Sequence, residues 1–259
     1  MLMAIDIGNT QSVIGLYDGH ELRRHWRLAT RPERTSDEWG VLMANLLNEG
    51  ALMRGRAIDA AILSSVVPPL TPVMVQTVKD RFNVRCRVVG PGLKTGMPIH
   101  YEDPREVGAD RIVNAVAAYA RWKTGLIIID FGTATTFDVV SPDGGYLGGS
   151  ICPGVGISSR ALFDRAARLP KVEFAPPKSV VGRNTVDSIK SGLVYGYVGL
   201  VEGLVSRIRN EVANPCTVIA TGGLARPIAR ETNVIDHVED NLTLDGLRLL
   251  HQLNIDQTL

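Results

Sequence analysis

The chain has 259 residues, 45% hydrophobic and 21% charged, with a formal net charge of +1 at pH 7. This is an ordinary balance for a globular protein of one large or two ordinary domains. A charge so near zero argues against nucleic acid or an anionic membrane surface as partner. The cysteines, at 86, 152 and 216, are odd in number and fit no zinc or redox spacing, and the five histidines form no H-x-x-x-H pair. They read as free thiols in a reducing cytoplasm, with no structural metal. Met1 to Ile7 is apolar but lacks a basic leader and meets Asp6 at once, so it is not read as a secretory signal. The longest candidate for a membrane span, Gly192 to Val201, has about half the necessary length. A cytoplasmic protein without membrane contact is expected.

In chain order, residues 2–17 (LMAIDIGNTQSVIGLY) read as strand, turn, strand. Asp18-Gly19 makes the next turn, and Glu21 to Ala29 a third strand. Thr35-Ser36-Asp37-Glu38 starts a helix whose apolar residues, Trp39, Leu42, Met43, Leu46 and Leu47, have helical spacing. Arg54 to Arg56 is a basic connection. Ile58 to Val67 is a buried strand, and Pro68-Pro69 ends it and opens a helix over 70–82. Residues 84–89 form a short strand. Gly90 to Arg111 is rich in Gly and Pro, and long irregular loops of this kind often carry function. A helix follows over 108–122, with Asp110 and Arg111 in its first turn. There Asp110 has a plain role as a favourable charge at the positive end of the helix dipole.

Residues 126–140 (LIIIDFGTATTFDVV) again read as strand, tight turn, strand. Gly144 to Gly149 is turn-dense, and Pro153, Gly154 and Gly156 precede an amphipathic helix from Ser158 to Arg168. Residues 170–184 are loop. Asn184-Thr185 caps a long helix reaching Val212, whose glycines at 192, 196, 199 and 203 share one stripe. That stripe suits core packing or a dimer seam. Thr217 to Ala220 is a buried strand, and Thr221-Gly222-Gly223 after it is either a plain turn or a backbone surface for a flat ring or phosphate. A strand near 234–238, a helix over 243–253 and a loose tail over 254–259 close the chain. The alternation of strands and helices argues for an α/β fold.

Two of these stretches match. AIDIGNTQS aligns with IIDFGTATT, placing Asp6 over Asp130 and Gly8 over Gly132. In each, an apolar strand ends in a carboxylate, and a Gly turn with small polar residues follows. Such a turn offers backbone N–H groups and hydroxyls to a phosphate chain, and the carboxylate can hold a cation beside it. Two copies half a chain apart predict a duplicated fold with a nucleotide between the halves.

With these pieces assembled, the chain closely resembles the type III pantothenate kinases, within the actin, hexokinase and Hsp70 ATPase superfamily. The resemblance rests on DIGNT at 6–10, SSVVP at 64–68, the Tyr101 loop with GADR at 108–111, DFGTATTFD at 130–138 and TGG at 221–223. It implies a duplicated ribonuclease H-like (actin-like ATPase) fold. Each of two similar halves, 1–115 and 116–259, would hold a mixed five-stranded sheet flanked by helices. The implied reaction is ATP-dependent phosphorylation of pantothenate to 4'-phosphopantothenate, the first step of coenzyme A synthesis.

The resemblance also assigns residues. Asp6, Ile7, Gly8, Asn9, Thr10, Gln11, Ser12 and Val13 would form the first phosphate loop. Thr133 would be the second loop's ATP contact, with Gly222 and Gly223 on the adenosine side. Tyr101, Gly108, Ala109, Asp110, Arg111 and Thr185 would contact pantothenate, with Asp110 as general base. Asp130 would bind a monovalent cation, K+ or NH4+, and Asp6 would organise Mg2+ through the nucleotide. A homodimer is implied, with the glycine-striped helix as its candidate seam. The rival readings are another small-molecule kinase of the same fold, differing in the loop around Tyr101 to Arg111, and a non-catalytic regulator of transcription. The regulator should show an eroded base or phosphate loop, or an added DNA-binding element, and the sequence has neither.

Overall fold

The aliphatic runs at 2–7 and 126–131 become the central strands of two separate sheets. A computed structural model of the chain describes residues 1–48, 57–166, 169–212 and 214–255. The basic connection at Arg54 to Arg56 and the last residues of the tail lie outside these, as does the expected helix end at Arg168.

In the first sheet, β1 (Leu2–Ile7) pairs antiparallel with β2 (Gln11–Asp18), which pairs antiparallel with β3 (Glu21–Ala29). On its other side β1 runs parallel to β4 (Ala60–Ser65), and β4 to β5 (Cys86–Val88), giving the order β3-β2-β1-β4-β5. Side chains alternate across a strand, so Met3, Ile5 and Ile7 share a face. They pack with Ile14, Leu16 and Leu63 beneath helices α1 (Ser36–Asn48) and α2 (Leu70–Phe82). The start of α1 is a capping box. The Glu38 N–H donates to Thr35 Oγ1 at 3.3 Å, and the Thr35 N–H donates to the Glu38 carboxylate at 2.8 Å.

Helix α3 (Ala109–Trp122) leads to the second sheet. There β6 (Leu126–Phe131) pairs antiparallel with β7 (Ala134–Val140), and β7 with β8 (Tyr146–Pro153). Helices α4 (Val155–Arg165) and α5 (Thr185–Val212) intervene before β9 (Thr217–Gly222), which lies parallel to β6. The short helix α6 (Ala225–Ala229) precedes β10 (His237–Val238), parallel to β9, and α7 (Leu242–Leu253) ends the described chain. The order β10-β9-β6-β7-β8 repeats the first sheet strand for strand and direction for direction, as the duplicated α/β fold requires.

The chain divides into two compact units, one of residues 1–117 with the segment from Leu242 onward, the other of residues 118–241. Helix α7, at the end of the described chain, belongs to the first unit. Four contacts hold it there. Leu244 lies against Gly15, at 2.9 Å from where a Cβ would stand, and Gly246 lies so close to the Val113 carbonyl that a Cβ would be 2.2 Å from the oxygen. Tyr17 donates to the Asp245 carboxylate at 2.8 Å, and Thr243 to Asn114 Oδ1 at 2.7 Å.

Two further differences from the sequence reading concern β8 and α4. The turn-dense stretch after Gly144 is a full edge strand, β8, and α4 begins at Val155 rather than Ser158. Among the described residues, no helix is long and apolar enough to cross a membrane. The three cysteines are free thiols, and burial pushes the Cys86 thiol up to about 12, so it stays protonated at neutral pH.

Candidate active site

In the first unit, Asp6 is the last polar position of β1, in register with Val13 on β2 and Ser64 on β4. It is half-buried, while Asn9, Thr10 and Gln11 in the turn beyond it are exposed. The turn closes through Gly8 N–H to the Gln11 carbonyl at 3.0 Å. Ile7 and Ser12 are wholly buried, and the Ser12 hydroxyl lies 2.9 Å from that of Thr30. These two residues therefore reach a ligand only through backbone, or by shaping the loop.

The expected acceptor loop lies in the same unit. It is anchored at its start by Asn254, which accepts from the Lys94 N–H at 3.0 Å and donates to the Lys94 carbonyl at 2.8 Å. Tyr101 is half-buried, and a single 3-10 turn at Pro104–Glu106, capped by Asp103, leads to buried Val107 and then Gly108. Gly108 opens α3, accepting at its carbonyl from the N–H of Arg111 at 3.1 Å. The next-but-one carboxylate folds back over this point. Asp110 Oδ1 takes the Arg111 N–H at 2.9 Å and stands 2.6 Å from where a Cβ on Gly108 would be. A side chain at Gly108 would have to displace the Asp110 carboxylate from this position. Burial raises the Asp110 carboxyl above the ordinary carboxylate range, against the opposing hydrogen bond and charge of Arg111. Arg111 is itself buried, at 7% exposure. The helix-dipole role and a catalytic role are thus compatible, because the same first turn that favours the charge also withdraws it from water.

In the second unit, Asp130 occupies the position on β6 that Asp6 has on β1, in register with Thr136 and Thr221. Gly222 ends β9 with φ +91°, and a Cβ there would stand 2.7 Å from both Asp130 Oδ1 and the Phe131 carbonyl oxygen. A left-handed backbone and the absent side chain are both needed at this point. Gly223 beyond it is exposed, with open space where its side chain would be. Thr133 sits in the tight turn, and its carbonyl accepts the Gly154 N–H at 3.1 Å. Thr185 is the exposed first residue of α5, which Asn184 caps through its Oδ1 to the Asp187 N–H at 2.9 Å.

The turns fit a phosphate chain, and the carboxylates fit cations that arrive with it. No cluster of three His, Cys, Asp or Glu side chains occurs among the described residues. Mg2+ is commonly held by one or two carboxylates plus substrate phosphates rather than by a full protein cage, which suits the single carboxylate of Asp6 beside the first turn.

Sequence reasoning overlooked Thr30. It follows β3, is 8% exposed, donates to the Gly8 carbonyl at 2.7 Å through its hydroxyl, and donates to the Thr10 carbonyl at 3.0 Å through its N–H. No motif marks it, since it stands a whole strand away from the turn it holds.

The paired sheets and their matched turns define a class. The fold is that of the actin-like ATPases and sugar kinases. An ATP- and polyphosphate-dependent glucomannokinase from Arthrobacter sp. strain KM superposes with TM-score 0.52 at 12% identity, covering 99% of each chain. A Campylobacter jejuni chain described as a Baf family transcriptional activator superposes with TM-score 0.61 at 18% identity, covering 98% of this chain and all of that one. Such identities speak for the fold alone.

Within that class, the family model for type III pantothenate kinase matches residues 2–207. A type III pantothenate kinase of Anaeromyxobacter sp. (strain K) is 56% identical over 254 residues, 98% of this chain and all of the relative. The chain belongs to the type III pantothenate kinase family.

Proposed function

We propose that this protein transfers the γ-phosphoryl group of ATP to the primary hydroxyl of pantothenate, releasing ADP and 4'-phosphopantothenate at the entry to coenzyme A synthesis. The observation that carries this reading is the 56% identity to a named type III pantothenate kinase along the whole of both chains. Phosphoryl transfer depends on positioning and charge neutralisation more than on covalent help from the protein. Asp6 to Val13 form the first phosphate loop, and Thr133 is a further ATP contact. Gly222 and Gly223 lie on the adenosine side. Asp6 would organise the magnesium ion that accompanies the nucleotide, and that ion would supply neutralising charge to the phosphate oxygens.

Asp110 is the general base. As the new O–P bond forms and the bond to the ADP oxygen breaks, its carboxylate takes the proton of the substrate hydroxyl. Support comes from its withdrawal from water and its raised carboxyl, which move it towards the operating pH where a base is most effective. Arg111 offers forked donors to the pantothenate carboxylate, and Tyr101, Gly108, Ala109 and Thr185 complete the acceptor contacts. Asp130 binds a potassium or ammonium ion.

The protein works as a homodimer. In the second unit Leu147, Ile151, Ile157, Val180 and Val181 are exposed apolar side chains. Gly192, Gly196 and Gly199 of α5 face open space, and the two together suit burial against a second copy. Light scattering checks this, and a monomer at micromolar concentration rejects it.

The test of the reaction is phosphate transfer from ATP to pantothenate in potassium or ammonium against sodium, with Asp130→Asn alongside. Transfer is expected, with cation dependence that Asp130→Asn removes. A wild-type protein inert towards pantothenate under every cation rejects the substrate assignment. Equal rates in sodium reject the role of Asp130 alone.

A further inference from the structure

We propose that Thr30 is a positioning residue for the first phosphate loop, fixing the direction in which the Gly8–Asn9 peptide presents its N–H. The inference rests on the ATP-binding role proposed for residues 6–13. The hydroxyl of Thr30 has one proton, and it goes to the Gly8 carbonyl at 2.7 Å. The 2.9 Å contact between the Ser12 and Thr30 hydroxyls then has one polarity, with Ser12 donating and Thr30 accepting. The result is a directed relay, from the Ser12 hydroxyl to the Thr30 hydroxyl to the Gly8 carbonyl. The Thr30 N–H adds a second clamp on the Thr10 carbonyl at 3.0 Å.

The relay decides the orientation of the turn. Ser12 and Thr30 are buried, at 0% and 8% exposure, so the Gly8 carbonyl is drawn inward. In a trans peptide the carbonyl and the following N–H point in opposite directions. Pinning the Gly8 oxygen inward therefore turns the Asn9 N–H outward, at the exposed crest of the turn. Without the relay the Gly8 carbonyl loses its buried partner, and the peptide is free to flip and present an oxygen to the phosphates, the wrong pole for an anion. Thr30 acts through Gly8 and need not touch the nucleotide.

The test compares Thr30→Val, Thr30→Ser and Ser12→Ala with the wild type, measuring KM for each substrate and the affinity of the free enzyme for MgATP. Thr30→Val keeps the shape and removes the hydroxyl. It should weaken MgATP binding and raise KM for ATP about tenfold, the scale of one buried hydrogen bond, with KM for pantothenate unchanged. Thr30→Ser should restore both ATP values to within about twofold. Ser12→Ala removes only the first link and should shift them about threefold. If Thr30→Val fails to fold, Ser12→Ala decides, and unchanged ATP affinity there overturns the proposal. So does a Thr30→Val that binds ATP normally, one that moves both KM values together, or a serine that fails to rescue. A wild-type protein that does not bind MgATP overturns the ATP-binding reading and this inference with it. Normal binding by the wild type and Thr30→Val alike overturns this inference alone.

Discussion

The hairpins β1–β2 and β6–β7 share topology, direction and an Asp-x-Gly signature, yet their turns are held in different ways. In the first unit the residue after β3 is Thr30, which clamps its turn with a hydroxyl and an N–H. In the second the residue after β8 is Gly154, which clamps with its N–H alone at 3.1 Å. A Cβ on Gly154 would stand 2.2 Å from the Thr133 carbonyl oxygen, so the third strand comes too close for any side chain. The parallel neighbours differ in the same sense. Ile7 is in register with Ser65, whose hydroxyl turns the chain by accepting the Val67 N–H at 3.2 Å, whereas Phe131 is in register with Gly222. One half is held by side-chain hydroxyls and the other by backbone contact. The first is open to tuning by single side-chain changes, and the second tolerates almost none.

The largest expected effect separates chemistry from binding, since only the first unit carries the candidate base. Asp110→Asn should lower kcat at least about 100-fold while leaving MgATP affinity near wild type; an unchanged kcat removes Asp110 from the mechanism. The raised carboxyl also predicts a cost to the fold. Its folded-state pKa lies above the unfolded one, so its stabilising contribution is complete below the unfolded value and is lost as pH rises through the folded value. Asp110→Asn should therefore be the more stable protein at neutral pH by chemical denaturation, with the advantage disappearing towards acid pH. In the wild type, kcat should fall as pH drops through that raised pKa.

The next prediction bears on the contrast between the turns. Gly154→Ala puts a methyl into backbone and should cost about 1–3 kcal/mol of stability, together with much of the ATP affinity. Gly8→Ala meets the Gln11 carbonyl oxygen only at 3.0 Å, so it should cost about 1 kcal/mol or less. Equal losses in urea titrations would show that the two turns are equally rigid.

The smallest effect concerns α7. Burial first, and then the charge of Arg87, hold the His251 pKa below its ordinary value, against the opposite pull of Asp59. A folded-state pKa below the unfolded one means that protonation favours unfolding. Stability should fall modestly as pH drops through the ordinary histidine range, and His251→Gln should flatten that slope. An unaltered slope would show that another group titrates there.

The elements with strong periodicity were legible in the sequence. Glu21 to Ala29, Leu70 to Phe82 and Thr185 to Val212 fall where hydrophobic spacing, Pro and the Asn184 cap put them. Strand β8 was not legible. Its run YLGGSICP alternates buried Tyr146 and Gly148 with exposed Leu147, Gly149 and Ile151, so two of its large aliphatic residues point outward while a glycine takes an inward place. That inverts the usual strand pattern, and cross-strand pairing with β7 supplies what propensity lacks. Thr30 escaped notice for a related reason. Its role comes from the antiparallel register of β2 with β3, and short-range sequence carries no trace of it.

What the sequence determined by itself is the duplication, because each half spells the same strand, carboxylate and glycine turn in local order. It also supplied the candidates for the two phosphate loops, since such loops are read over a few adjacent positions, while the acceptor residues were nominated by the family resemblance. Only the tertiary structure decided that α7 returns to the first unit, through the close approach of Gly246 to Val113 and the bond from Tyr17 to Asp245. Only the tertiary structure decided that Thr30 and Gly154 hold the two turns. Both depend on backbone brought together across a sheet, where the partner is chosen by packing and register rather than by neighbours in the chain.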